Sequence, residues 1–173
     1  RRVLFRSVFP PDRGCFLAER RPVLALRKFL PAGRPAILTS GATGAGSGIG
    51  AAFAKELGRR GGRVVCSDID SVAAKRVATE ITDAGGTATA VHCDVSQIGD
   101  MNDLAAQSQS WFGGAPTLVI NNAGVGAGGQ LIGEIPLDDW RWTLGVNLWG
   151  PIHGCHVFTP ILRGAGAPAG IIN

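Results

Sequence analysis

A glycine-rich run and a later acidic residue form the part of the chain whose residue types and spacing could do chemistry. The run is Thr43-Gly44-Ala45-Gly46-Ser47-Gly48-Ile49-Gly50, and Asp68 follows 18 positions after its last glycine. Glycines at this spacing let a strand turn into a helix whose N–H groups face a pyrophosphate. An acid at the end of the next strand reaches a ribose 2′-hydroxyl. The pattern predicts a dinucleotide site; the simpler alternatives are a plain glycine-rich turn and a solvated strand-end carboxylate.

The elements that position these residues are strands and helices that alternate along residues 36–173. This alternation predicts an α/β fold, a Rossmann-like doubly wound parallel sheet of about five strands with helices on both faces. Strands are predicted near 37–39, 63–67, 87–93, 117–120 and 171–172, and one long helix from about 137 to 162. Other helices are predicted to follow the glycine run, to begin after Ser71 as the N-cap, and to open at Ser96 or Asp100. Polar residues that follow successive parallel strands meet at one edge of the sheet.

Residues 1–35 differ in composition from the rest of the chain. They contain nine of the 17 Lys and Arg residues but two of the 13 Asp and Glu residues. Three interpretations stay open: upstream or out-of-frame sequence in a partial gene model, a loosely ordered extension, or an Arg-rich organelle presequence. Because this segment supplies the positive net charge, the charge does not indicate nucleic-acid binding by residues 36–173, which we expect to form one domain.

The rest of the composition excludes other classes of protein. No apolar run reaches the roughly 18 residues that a membrane span needs. The four cysteines show no metal-ligand spacing, and Cys66 and Cys93 lie in strand-like segments where we expect buried, reduced thiols. We therefore predict no metal site, no membrane partner and a cytoplasmic location.

Three further motifs make the chain resemble the short-chain dehydrogenase/reductase family over about residues 36–173. They are Asp94-Val95, Asn121-Asn122-Ala123-Gly124, and Asn147 within Val146-Asn147-Leu148-Trp149-Gly150. Thr43 to Gly50 match the family's nucleotide motif in full. The family's Ser and Tyr-x-x-x-Lys lie beyond its fifth strand, and this chain contains no tyrosine. We therefore expect the cofactor half of a truncated member, inactive alone.

The resemblance implies a role for each matching residue. Asp68 is expected to bind the adenosine ribose and, with the neutral Ser47, to favour NAD over NADP. Asp94 is expected at the adenine edge, with Val95 packing on the ring. Asn147 is expected to be catalytic: a helix bend there would free a carbonyl for a proton relay, an ordinary kink being the alternative. The implied cofactor-binding residues are Gly44, Ser47, Gly48, Ile49, Gly50, Asp68, Ile69, Asp94, Val95, Asn121, Ala123 and Gly124.

The activity that the resemblance implies is hydride transfer between a nicotinamide and a small alcohol or carbonyl compound, by a homo-oligomer. One alternative is a dinucleotide-binding module without turnover. Another is a fragment of an extended-branch sugar-nucleotide epimerase, whose phosphate loop would begin at Gly41 instead of Gly44. We prefer the Gly44 register because Gly48-Ile49-Gly50 runs directly into the helix. His153 and His156 are expected to be packing or surface residues.

Overall fold

The computed structural model describes residues 35–40, 48–126, 129 and 131–173, and the strands among them form one parallel sheet. The strands are β1 (Pro35–Ser40), β2 (Arg63–Asp68), β3 (Thr87–His92), β4 (Leu118–Asn121) and β5 (Gly170–Ile172). Their order in the sheet is β3-β2-β1-β4-β5. This order confirms the predicted Rossmann-like doubly wound architecture, because helices connect each strand to the next and the strand order reverses between β1 and β4.

The helices lie where the sequence predicted them, with one interruption. They are α1 (Gly48–Arg59), α2 (Ser71–Asp83), α3 (Ile98–Phe112), α4 (Leu137–Leu144) and α5 (Gly150–Gly164). A π-helical turn, Gly145–Trp149, separates α4 from α5. The single long helix predicted for 137–162 is therefore wrong in detail, because its hydrogen-bonding pattern changes around Asn147.

Two apolar clusters fill the two faces of the sheet, since successive strand residues point to opposite faces. On one face, α3 and α5 cover strand residues such as Ile37, Val65 and Val119. On the other, α1 and α2 cover Val64 and Leu118. Helices on both faces were predicted, and the two clusters confirm them.

The starts of two helices differ from the prediction. Asp70, not Ser71, caps α2: its Oδ1 accepts hydrogen bonds from the N–H groups of Val72 at 2.9 Å and Ala73 at 3.1 Å. An aspartate one position earlier suits the cap equally well by residue type, so the pattern alone did not separate the two. Helix α3 begins after Gln97, whose side chain makes no cap hydrogen bond. The two predicted caps, Ser96 and Asp100, form hydrogen bonds with Asp94 instead.

Within the described residues, no helix is long and apolar enough to cross a membrane. No group of three or more His, Cys, Asp and Glu side chains in the same part of the chain converges as a metal site. The cytoplasmic location stays a prediction.

Candidate cofactor site

The strand register brings the predicted site residues to one edge of the sheet. Ser40, at the end of β1, pairs with Asp68 at the end of β2, and Asp68 pairs with His92 at the end of β3. On the other side of β1, Thr39 pairs with Asn121, the last residue of β4. Four strands therefore end level with one another, and the loops that carry the predicted motifs leave from the same edge.

The described part of the glycine-rich run starts α1. Gly48 has a φ of 68°, a left-handed conformation that suits glycine, and it is the first residue of the helix. Ile49 is 70% exposed, while Gly50 is buried in the helix packing. The N–H groups of this first turn have no acceptor within the helix itself. Gly44, Ser47 and the alternative register at Gly41 lie outside the described residues.

Asp68 is buried rather than solvated, because it is only 3% exposed. Its Oδ1 accepts a hydrogen bond from the Asp70 N–H at 2.9 Å, and its carbonyl accepts one from the Cys93 N–H at 3.1 Å. The alternative of a solvated strand-end carboxylate is therefore wrong. Ile69, which follows it, is 44% exposed at the same end of β2.

The segment Asp94–Ser96, after β3, is held by groups from several elements. The Asp94 N–H donates to Asp100 Oδ2 at 2.9 Å. Asp94 Oδ1 accepts from both the N–H of Ser96, at 2.9 Å, and its hydroxyl, at 2.7 Å. His153 Nδ1 lies 2.9 Å from the Val95 carbonyl oxygen. The Val95 side chain is 4% exposed and packs in the core against α5.

Two polar groups of Asp94 and Val95 have no hydrogen-bond partner among the described residues. They are the Val95 N–H and Asp94 Oδ2. One is a donor and the other an acceptor, and they belong to adjacent residues. These two residues therefore offer a donor and an acceptor side by side, while their other polar groups are occupied.

Asn121, at the end of β4, ties the strand to the chain after β5. Its Nδ2 donates to Asn173 Oδ1 at 2.7 Å, which is the tie between strands expected from the sequence. Its Oδ1 is buried and finds no partner in the described part of the chain. Ala123, two residues further along, packs against the apolar cluster of this face. Gly124 lies beside Asn147: a Cβ at Gly124 would be 3.6 Å from its Oδ1.

Asn147 lies in the middle of the π-helical turn and clamps the loop after β4. Its Oδ1 accepts from the Val125 N–H at 2.8 Å, and its Nδ2 donates to the Val125 carbonyl at 2.7 Å. The bend predicted from Gly145, Gly150 and Pro151 is thus present as a π turn, a local change of hydrogen bonding often found at functional sites. The side chain serves as a two-point clamp, a function that sequence reasoning missed.

A cleft of about 830 Å³ lies between this loop and α5. Its lining includes Asn121, Gly124, Asn147, Cys155 and Asn173. Cys155 is half-buried at its wall. Cys66 in β2 and Cys93 directly after β3 are free and buried, as predicted, although β3 ends at His92 and not at Cys93. Burial raises the pKa of Cys66 to about 12, and burial together with the charges of Asp100 and Asp94 does the same for Cys93.

The sequence pattern did not single out all the residues that shape this edge. Asp100 and Ser96 were predicted as helix caps, and His153 as a packing or surface residue. Helical spacing places His153 one turn after Gly150, but only the packing of α5 on the segment after β3 shows which backbone group the imidazole meets.

Comparison with known proteins agrees with this geometry. The family model for short chain dehydrogenases matches residues 41–173. The chain is 38% identical over 131 residues to the probable oxidoreductase EphD of Mycobacterium tuberculosis, covering 76% of this chain and 22% of that protein. It spans about half or less of the length of the curated relatives that it matches.

Two solved structures share the fold. A short chain dehydrogenase/reductase from Burkholderia phymatum in complex with NAD is 39% identical, with a TM-score of 0.76, over 82% of this chain and 48% of that one. A metagenomic short-chain oxidoreductase in complex with NADP is 34% identical, with a TM-score of 0.75, over 83% of this chain and 62% of that one. With the family's motifs on the matching strand ends, the chain belongs to the short chain dehydrogenase family.

Proposed function

We propose that this chain forms the dinucleotide-binding part of an NAD-dependent oxidoreductase. The strongest support is that the C-terminal ends of β1, β2, β3 and β4 are aligned in the sheet. This alignment brings Asp68, the Asp94–Ser96 segment and the loop after Asn121 to one edge. Open parallel sheets bind ligands at this edge, next to the point where the strand order reverses.

Adenine suits the unpaired groups of the Asp94–Ser96 segment. The Watson–Crick edge of adenine offers its N6 amino group as a donor and N1 as an acceptor. Asp94 Oδ2 and the Val95 N–H complement this pair. Because the Val95 side chain is buried in the core, we propose that Val95 contacts the ring mainly through its backbone.

Asp68 favours NAD over NADP in this proposal. Its buried carboxylate would accept hydrogen bonds from the ribose hydroxyls, and it would repel a 2′-phosphate at the same place. The first turn of α1, from Gly48, would meet the pyrophosphate with its free N–H groups. One solved relative holds NAD and another NADP, so the preference is a proposal about this chain's own residues.

The cleft beside Asn147 is the proposed place of the chemistry. A bound nicotinamide would supply hydride exchange with an alcohol or carbonyl carbon of a small molecule. Asn121 and Gly124 would border the ring, and the π turn at Asn147 would present a main-chain carbonyl for proton transfer. The side-chain clamp on Val125 would hold that turn in place.

A homo-oligomer is also part of the proposal. The stretch from α4 to the start of α5 leaves large apolar side chains 37–70% exposed, and a second copy of the chain would cover them. They are Leu137, Trp140, Trp142, Leu144, Leu148, Trp149 and Ile152.

Calorimetric titration of the 173-residue chain with NADH and NADPH tests the proposed function. We expect saturable binding that is tighter for NADH. Asp68→Ala should lower the ratio of NADH to NADPH affinity about tenfold or more, because it removes a charged acceptor and the repulsion of a phosphate. Asp83→Ala removes the same charge at the far end of α2 and is the matched control. Absence of binding by the folded chain would contradict the function, and an unchanged ratio in Asp68→Ala would contradict the role of Asp68.

A further inference from the structure

We propose that His153 is a positioning residue that fixes the backbone of Val95 for reading adenine. This inference rests on the proposed dinucleotide function and assigns a role to a residue that lies outside the predicted motifs. His153 does not itself contact the ligand in this proposal. It acts through the peptide group that follows Val95.

Helix α5 approaches Val95 closely at two points on one face. At Gly150, a Cβ would lie 2.8 Å from Val95 Cγ2, so only the absence of a side chain lets the helix come so near. Three residues later on the same face, His153 Nδ1 reaches the Val95 carbonyl oxygen at 2.9 Å. The side chain and the carbonyl of Val95 are thus both held by α5.

The other anchors of the segment act on Asp94 and leave the Val95 carbonyl to His153. Asp100 holds the Asp94 N–H, and Ser96 holds Asp94 Oδ1. The Val95 N–H lies between these two sets of anchors, and its direction depends on both. The Val95 carbonyl and the Ser96 N–H belong to one peptide group, which is held at one end by His153 and at the other by Asp94 Oδ1. If the bond from His153 is lost, only the Ser96 N–H holds this peptide. The peptide can then tilt and shift Asp94 relative to the Val95 N–H, and the donor and acceptor no longer keep a fixed separation.

The chemistry of the contact defines what can replace the imidazole. A carbonyl oxygen only accepts hydrogen bonds, so Nδ1 of His153 must carry the proton. The Trp149 ring lies beside the imidazole, with the two ring centroids 5.8 Å apart. The amide nitrogen of asparagine occupies nearly the same position relative to Cγ as Nδ1 does in histidine. Asparagine can therefore preserve the bond, while phenylalanine fills the volume without a donor.

The experiment compares NADH with its hypoxanthine analogue, in which the N6 amino group is an oxygen and N1 carries a proton. This analogue reverses the donor and acceptor that Asp94 and Val95 are proposed to read. We expect the wild-type chain to bind NADH about tenfold more tightly than the analogue in calorimetric titration. His153→Phe should lower this preference about five- to tenfold, and His153→Asn should keep it within about twofold. His156→Phe is the matched control, because His156 is exposed on α5 at the groove facing α3.

The measured quantity is the ratio of the affinities for NADH and for its hypoxanthine analogue. A general loosening of the fold would weaken the binding of both ligands equally, so a merely structural role for His153 would leave this ratio unchanged. A folded His153→Phe chain with the wild-type preference would overturn the inference. If that variant does not fold, His153→Ala, which also lacks the donor, decides: a lowered preference supports the role, and a wild-type preference overturns it. A wild-type chain that binds neither ligand contradicts the proposed function itself, whereas one that binds both equally contradicts only adenine reading by this segment and, with it, the role of His153.

Discussion

Replacing Gly154 by alanine should test how closely α5 packs on the end of β4. Gly154 is buried, and a Cβ built there would lie 2.8 Å from both Cγ and Nδ2 of Asn121. Asn121 has little room to give way, because it is 8% exposed and donates to Asn173 at 2.7 Å. The extra methyl group must therefore push the helix outward or break this hydrogen bond.

The magnitude follows from three opposing effects on the free energy of unfolding. Overpacking a buried site costs about 1–3 kcal/mol. Losing the bond between Asn121 and Asn173 costs about 1 kcal/mol. Alanine in place of glycine within a helix regains about 1 kcal/mol. We expect Gly154→Ala to lower the free energy of unfolding by about 1–3 kcal/mol.

Chemical denaturation of the purified chain, followed by circular dichroism, measures this change. Gly164→Ala is the matched control on the same helix, since a Cβ at Gly164 meets no atom within 4 Å. The control should stay within about 0.5 kcal/mol of wild type or be slightly more stable. A Gly154→Ala chain as stable as this control would refute the reasoning.

A double-mutant cycle locates the clash. With Asn121 shortened to alanine, the added methyl group has space, so Gly154→Ala should cost at least about 1 kcal/mol less than it does in wild type. Additive effects of the two substitutions would show that the cost arises elsewhere along the helix.

Two further predictions concern the core and its thiols. Arg63→Met should lower the free energy of unfolding by about 2 kcal/mol in the same denaturation assay. The reason is that the guanidinium donates to the last carbonyls of α3 at 2.6 and 2.9 Å and lies over the ring of Trp111. A loss below about 0.5 kcal/mol in a folded variant would contradict this. At pH 8, a thiol reagent should modify Cys155 in the native chain but Cys66 and Cys93 only after unfolding. Burial keeps the reagent from these two thiols and raises the pKa of both to about 12. Peptide mapping identifies the modified sites, and equal modification rates at all three cysteines would contradict the packing.

The sheet and its order of elements were predictable because the central strands are short apolar runs and β2, β3 and β4 each follow a glycine-rich turn. Burial on both faces requires such runs in a parallel sheet. Helix ends were less predictable: Asp70 and Ser71 are both good caps by residue type, and only the backbone path selects Asp70. The π turn was predictable only as a bend, since glycine and proline indicate an irregularity without defining its hydrogen bonds.

The candidate site was predictable where one residue type must lie at a strand end, as for Asp68 and Asn121. The supporting contacts were not, because they join segments far apart in sequence. Asn147 and Val125 are 22 positions apart, and His153 and Val95 are 58 apart. Nothing in local sequence spacing specifies which backbone groups such side chains will meet.

Helix α5 links the packing of the fold to both proposed ends of the cofactor site. Gly150 lies against Val95, after β3, and Gly154 lies against Asn121, at the end of β4. These glycines are four residues apart and so share one face of the helix. On the other side of the sheet, Gly58 lets α1 approach Ile81 in the same way, but that contact involves no residue of the proposed site. A side chain added to α5 at either glycine would therefore displace a segment of the proposed site together with the core, whereas one added at Gly58 would act on the core alone.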